Sequence, residues 1–299
     1  MRKIIGSVLV ILLLCLAAVY VFIPNQIKIN GSQIVYQPTR SVIRAMTQIS
    51  KWSEWMPKDV ALKANSALVA TIKAELNQDG ILVPVLFSIE NGEGNNSYIR
   101  YETSMNNIGW SPIERIQYFL FAKKIIHQLD LVLAAATAHY NYNKGVYGFD
   151  IVETKVKDSS LITIDQTLND TPSLVQIYQM VNQLTVFVNS QKGKVNGDPM
   201  VNITRIDENE VYIQVAIPLE KDIPVKDAFT IKKMVLGNLL SVKVQGDQSK
   251  VNQAFEATKQ YIIDKQKISP AIPFVIYNTN RLLEKDSNLW VSTINYPIY

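Results

Sequence analysis

A strand–helix–strand–strand pattern occurs twice in the second half of this chain, about 75 residues apart, and it limits the possible folds more than any other feature. The first copy opens with a strand at 159–167. Thr171-Pro172 then starts a helix with Leu174, Ile177, Tyr178, Val181, Leu184 and Val188 at helical spacing. After a turn at Gly197-Asp198-Pro199 come strands at 201–206 and 210–217, closed by Pro218. The second copy has a strand at 236–244, then a helix after Asp247 with Val251, Ala254, Phe255, Thr258, Tyr261 and Ile262 on one face. Pro273, a strand over 274–277, a polar turn and a strand at 289–296 ending at Pro297 complete it. Pro-Met-Val-Asn-Ile at 199–203 answers Pro-Phe-Val-Ile-Tyr at 273–277, and Val-Ala-Ile-Pro at 215–218 answers Ile-Asn-Tyr-Pro at 294–297. Either unit alone leaves a sheet face uncovered, so the two are expected to pair into one pseudo-symmetric antiparallel sheet.

The other end of the chain is apolar. Residues 4–23 read IIGSVLVILLLCLAAVYVFI, and about 20 residues at ~1.5 Å each would span roughly one hydrocarbon thickness. Arg2 and Lys3 precede the run, while Pro24, Asn25 and Gln26 follow it. Residues 1–26 therefore read as a membrane anchor, with the membrane met through residues 4–23. The positive-inside bias puts the N-terminus in the cytoplasm and the body outside it, on the periplasmic side in a Gram-negative cell. A cleaved signal peptide is the alternative, but the apolar run continues through Val19–Phe22 after Ala17 and Ala18. A lipoprotein signal would carry a small residue before Cys15, where Leu14 stands.

Between these regions the expected class is α+β. A strand runs from Ile27 to Tyr36, and Thr39 opens a short helix leading into Trp52-Ser-Glu-Trp55-Met-Pro57. Strands at 67–76 and 81–90 flank Asn77-Gln-Asp79-Gly80, a hairpin signal, and a further strand is expected at 97–103. Ser111-Pro112-Ile113-Glu114 has the form of a capping box. It opens a long helix to about Tyr140 with Ile113, Ile116, Leu120, Ile125 and Leu129 as its apolar stripe. The polar break at 141–148 is the expected boundary, giving domains at 27–148 and 149–299.

The doubled unit, with its strand endings marked by proline, resembles the GyrI-like small-molecule-binding domain, the effector-binding part of some bacterial transcription regulators, over about 155–299. That resemblance implies a ligand groove between the two halves, lined by aromatics and usually holding a buried glutamate, for ligands that are often hydrophobic and cationic. By position, the implied ligand-binding residues are Tyr212, Phe274, Tyr277, Trp290 and Tyr296. The positions of the family's glutamates are Val275 and about Thr293 here, so cation selectivity and glutamate-based hydrolysis lose their usual basis. The plainer reading of each aromatic is packing in the sheet core. Residues 27–145 are more faintly similar to the START-like (polyketide cyclase, SRPBCC) fold, through the first strand, the tryptophan motif and the long helix that follows Ser111.

Composition closes several functional classes. The net charge is +4, from 30 basic and 26 acidic residues with no basic block, which gives no footprint for nucleic acid. One cysteine and two histidines, His127 and His139, make thiolate chemistry and a His-based metal site poor readings. No G-x-S-x-G, phosphate-loop, dinucleotide or H-E-x-x-H motif occurs, and no cofactor is expected. Glu90 with Glu93, and Asp207 with Glu208 and Glu210, read as solvated turns, and Trp52 with Trp55 as packing at a helix end. The reading is a binding module for a small hydrophobic or aromatic ligand rather than an enzyme. A hydrolase or cyclase with a buried acid such as Glu210, and a non-catalytic envelope interaction protein, are the alternatives.

Overall fold

The structure, a computed structural model, describes residues 2–105, 111–156, 160–226 and 228–299, with side chains from residue 10 onward. It is α+β with two antiparallel sheets and divides into two compact units, Met1–Val146 and Tyr147–Tyr299.

The first unit begins with helix α1 (Arg2–Phe22), then β1 (Ile27–Val35), α2 (Thr39–Met46) and a 3-10 turn over Ile49–Glu54. Strands β2 (Leu62–Leu68), β3 (Thr71–Gln78), β4 (Ile81–Asn91) and β5 (Ser97–Met105) follow, then the long α3 (Pro112–Tyr140) and the short α4 (Asn143–Tyr147). The sheet order is β1-β5-β4-β3-β2. Between β3 and β4 the turn is Asp79-Gly80, with φ of 55° and 85°, the two positive values that a two-residue hairpin turn requires. Alternate residues of the strands face α3: Ile72 and Leu76, Val85 and Phe87, Ile99 and Tyr101 are buried. Against them pack Ile125, Leu129 and Leu133 of α3, while the Tyr101 hydroxyl donates to the Asp130 carboxylate at 2.6 Å. Gly31 lies opposite Tyr101 on β1, where any Cβ would collide with that ring.

Three expectations are corrected here. The apolar stripe of α3 is wrong in its first turns: Ile113, Ile116 and Leu120 are exposed, whereas Arg115 is buried. Ser111 is the N-cap of α3 and Pro112 its first residue, but Ser111 makes no side-chain capping bond. The anchor and the single-pass topology are overturned, since no helix among the described residues is long and apolar enough to cross a membrane. The helix end is instead tied to α3. Arg115 donates to the Ile23 carbonyl at 2.9 Å and to Asn25, and stacks over Tyr20 at 4.5 Å. The cytoplasmic and extracytoplasmic assignments fall with the anchor.

The second unit carries β6 (Val152–Lys155), β7 (Ser160–Leu168), α5 (Leu174–Ser190), β8 (Met200–Arg205) and β9 (Val211–Leu219). It continues with β10 (Thr230–Lys233), β11 (Asn238–Gln245), α6 (Gln248–Asp264), β12 (Phe274–Tyr277), a 3-10 turn over Ser287–Leu289 and β13 (Val291–Ile298). The start expected for β7 at Ser159 lies outside the described residues. The sheet order β10-β7-β9-β8-β12-β13-β11-β6 is palindromic in the repeats. Strands β7-β9-β8 of the first copy meet β12-β13-β11 of the second, with β8 and β12 at the pseudo-two-fold axis. Each copy also lends its leading strand to the other: β6 pairs with β11 and β10 with β7. Both helices pack on one face of the sheet. Ile177, Leu184 and Val188 of α5 and Val251, Ala254 and Tyr261 of α6 are buried there with Ile213, Val215, Val242 and Ile294 of the strands.

Candidate functional site

Helices α5 and α6 leave a groove of about 930 Å³ over the middle of the second sheet. Its floor comes from Val201 and Ile203 of β8 and Val275 and Tyr277 of β12, and its sides from Leu174 and Ile177 of α5 and Gln248, Asn252 and Phe255 of α6. The size and the mostly apolar lining suit a small organic molecule. The first residues of both helices, Leu174 and Gln248, line it, so two helix N-termini reach its edge. Ser173 caps α5 in a reciprocal capping box with Gln176, and Asp247 caps α6 through the Lys250 amide at 3.1 Å.

Of the five aromatics implied by sequence, Tyr277, Trp290 and Tyr296 meet in this groove. Tyr277 and Tyr296 are buried, and Trp290 is half-buried with its indole N–H donating to the Glu284 carbonyl at 2.9 Å. Tyr296 packs edge-on to Phe255 at 5.6 Å between ring centres, and burial pushes its phenol up to about 12. Phe274 and Tyr212 lie on the opposite face of the sheet. Phe274 lines a separate hollow of about 210 Å³ with Met200, Gln214 and Ile272. Tyr212 stands across from Thr167 and accepts a 3.3 Å bond from Gln214. Side chains alternate along a strand, so Phe274 cannot share a face with Tyr277 three residues away. The same parity puts Ile213 rather than Tyr212 on the helix side.

The residue that sequence reasoning missed is Arg281, in the loop between β12 and β13. It is 3% exposed and lines the groove. Its guanidinium lies 3.8 Å from the centre of the Tyr277 ring and 5.1 Å from that of Trp290. Nη1 donates to the Gln248 side-chain oxygen at 2.8 Å and Nη2 to the buried Ser292 hydroxyl at 2.6 Å, while Nε is buried without a hydrogen-bond partner. Its own backbone N–H donates to the Tyr178 hydroxyl at 2.9 Å. Burial pulls its pKa down, but an arginine stays charged at neutral pH. The other charged residues on the groove are the exposed Arg205, Lys259 and Glu256, and the last two are paired at 2.7 Å. Glu210 lies in the turn before β9, bonded through its carbonyl to Ile206, and does not line the groove.

In the first unit the main hollow, about 660 Å³, is lined largely by polar and charged residues including Lys28, Asn30, Lys73, Glu75 and Glu102. Trp52 and Trp55 belong to the core. Trp52 donates to the Met46 carbonyl at 2.8 Å and meets Phe87 edge-on at 5.8 Å. Trp55 stacks near His139 and Tyr140. Burial lowers the pKa of His139, against the opposing pull of Glu54. Among the described residues there is no group of three His, Cys, Asp or Glu side chains placed to hold a metal.

No protein-family profile matches this chain, and no curated protein matches it. Solved structures do. One is the EcmrR C-terminal domain, 10% identical over 50% of this chain and 98% of that one, with a TM-score of 0.45. A hydrolase from Listeria innocua is 8% identical over 50% of this chain and 91% of its own, at 0.39. SAV2435 bound to tetraphenylphosphonium is 16% identical over 50% and 93%, at 0.34. With likeness this distant, the chemistry of the groove is read from its own residues.

Proposed function

We propose that the second unit, residues 149–299, is a GyrI-like small-molecule-binding domain that takes an apolar or aromatic molecule into the groove between α5 and α6. The observation that carries this reading is the groove itself: about 930 Å³, walled by Trp290, Tyr296 and Phe255, at the pseudo-two-fold axis of a duplicated sheet. Affinity would come from burying apolar surface, at about 25 cal/mol per Å² before the costs of association. Residues 27–148 fit a shortened START-like domain, supported by the β1–β5 pairing and the long α3 laid over the sheet. Its sheet-to-helix layer is occupied by its own side chains, so the ligand site is assigned to the second unit.

A thermal-shift screen of the whole chain against neutral aromatics, sterols, fatty acids and charged aromatic compounds tests the reading. A compound at 100 times its dissociation constant adds about 2.7 kcal/mol to stability. The expected result is at least one stabilising class whose effect is lost in Tyr296→Ala and Trp290→Ala. Shifts that survive both substitutions would contradict it.

A further inference from the structure

We infer that this groove selects organic anions: an aromatic body against Trp290, Tyr296 and Phe255, and a carboxylate, sulfonate or phosphate head on the Arg281 guanidinium. The inference rests on the small-molecule reading above and names the ligand class.

Three features of the groove point the same way. The first is an uncompensated buried cation. Arg281 is 3% exposed, its side-chain hydrogen bonds go to two neutral oxygens, and its Nε has no hydrogen-bond partner. A guanidinium offers five N–H donors in a fork shaped for a carboxylate or phosphate. The second is that two rings of the groove, Tyr277 and Trp290, already carry a cation on one face. With Arg281 at 3.8 Å from Tyr277 and 5.1 Å from Trp290, a ligand cation would meet both an occupied ring and a like charge. The third is the field around it. Among the groove-lining residues Arg205, Lys259 and Arg281 face Glu256 alone, which Lys259 already pairs, and α5, capped by the neutral Ser173, brings a positive helix end to the edge, while the α6 end is met by the Asp247 carboxylate.

Gln248 holds the place of the anion. It is the exposed first residue of α6, and its side-chain oxygen sits 2.8 Å from Arg281 Nη1. An entering carboxylate replaces that neutral oxygen with a charged one and leaves the Ser292 bond intact. The released Gln248 keeps a partner in Asn252, to which its amide already donates at 3.0 Å.

The test uses three fluorescent probes with one aromatic body: 1-pyrenebutyrate, 1-pyrenebutanol and 1-pyrenebutyltrimethylammonium, titrated into the full chain. The expected order is carboxylate tighter than alcohol by at least about tenfold, and alcohol tighter than ammonium. Arg281→Met is expected to erase the carboxylate's advantage over the alcohol. Gln248→Glu places a carboxylate on the guanidinium without touching the core, and should raise the ammonium above the butyrate. Equal binding of all three probes, in wild type and variants alike, would leave the groove reading standing and overturn the anion inference. Tighter binding of the ammonium to the wild type would overturn it too. Binding of none would sink the groove reading and this inference together.

Discussion

Among the described residues each unit buries one arginine, and the two are treated differently. Arg115, 5% exposed, points at the C-terminal end of α1: it donates to the Ile23 carbonyl and to Asn25 and lies over Tyr20. A helix C-terminus carries about half a negative charge on its unpaired carbonyls, so this cation is met by a built-in counterpart. Arg281 has no such counterpart. Its partners are a glutamine, a serine and two aromatic faces, and it borders open space. The first arrangement is a clamp that holds the chain together. The second leaves a charge for something else to complete.

The surrounding layers differ in the same way. In the first unit Phe87, Tyr101, Trp52 and the α3 residues fill the space under the helix. In the second, two shorter helices stand apart over one sheet and the space between them stays open. Substitutions should separate the filled layer from the open one. Phe87→Ala removes a fully buried ring and is expected to cost about 3–5 kcal/mol, whereas Tyr296→Ala at the groove wall should cost less and abolish ligand-induced stabilisation. Equal losses in denaturant unfolding would break the contrast. Arg115→Met strands the Ile23 carbonyl and Asn25 and is expected to cost about 2–3 kcal/mol. Arg281→Met removes an uncompensated charge along with its bonds, and should move stability by no more than about 1 kcal/mol. If Arg281→Met proves the more damaging, its role is structural.

Smaller effects sharpen the picture. Ser173→Ala removes a closed capping box at the groove edge and should cost about 1 kcal/mol, whereas Ser111→Ala, which loses no side-chain cap, should cost less. In the first unit, burial lowers the pKa of His139 below the ordinary 6.5. The unfolded chain therefore binds that proton at higher pH than the folded one. Stability should fall as pH drops through about 6.5 and level off below the folded pKa. His139→Gln should flatten that part of the thermal-unfolding profile, and an unchanged profile would assign the pH dependence elsewhere.

The sequence made the element order, the repeat and the Asp79-Gly80 hairpin legible because each is written in local periodicity or turn chemistry. The edge strands β6 and β10 were not, being four residues long and carrying mostly exposed side chains without alternation. Strand β2 was merged with β3 because a short turn with Val69 at positive φ joins them without a glycine or proline. At the site, Tyr277, Trp290 and Tyr296 follow from the repeat. Tyr212 and Phe274 fall on the other face of the sheet, one step of the pleat away, a separation that counting parity along each strand shows. Arg281 left no local signal. A charged residue in a polar loop reads as solvated, and only the folding of that loop back over β12 and β13 buries it. Arg115 was hidden differently, by an apolar stripe whose first turns face outward.

The most direct test of the account is hydrogen–deuterium exchange on the full chain with and without saturating 1-pyrenebutyrate. Slowed exchange is expected at the N-terminal turns of α5 and α6 and in the loop at 278–290, with the first unit unchanged. Protection confined to the first unit, or no protection despite binding, would contradict it.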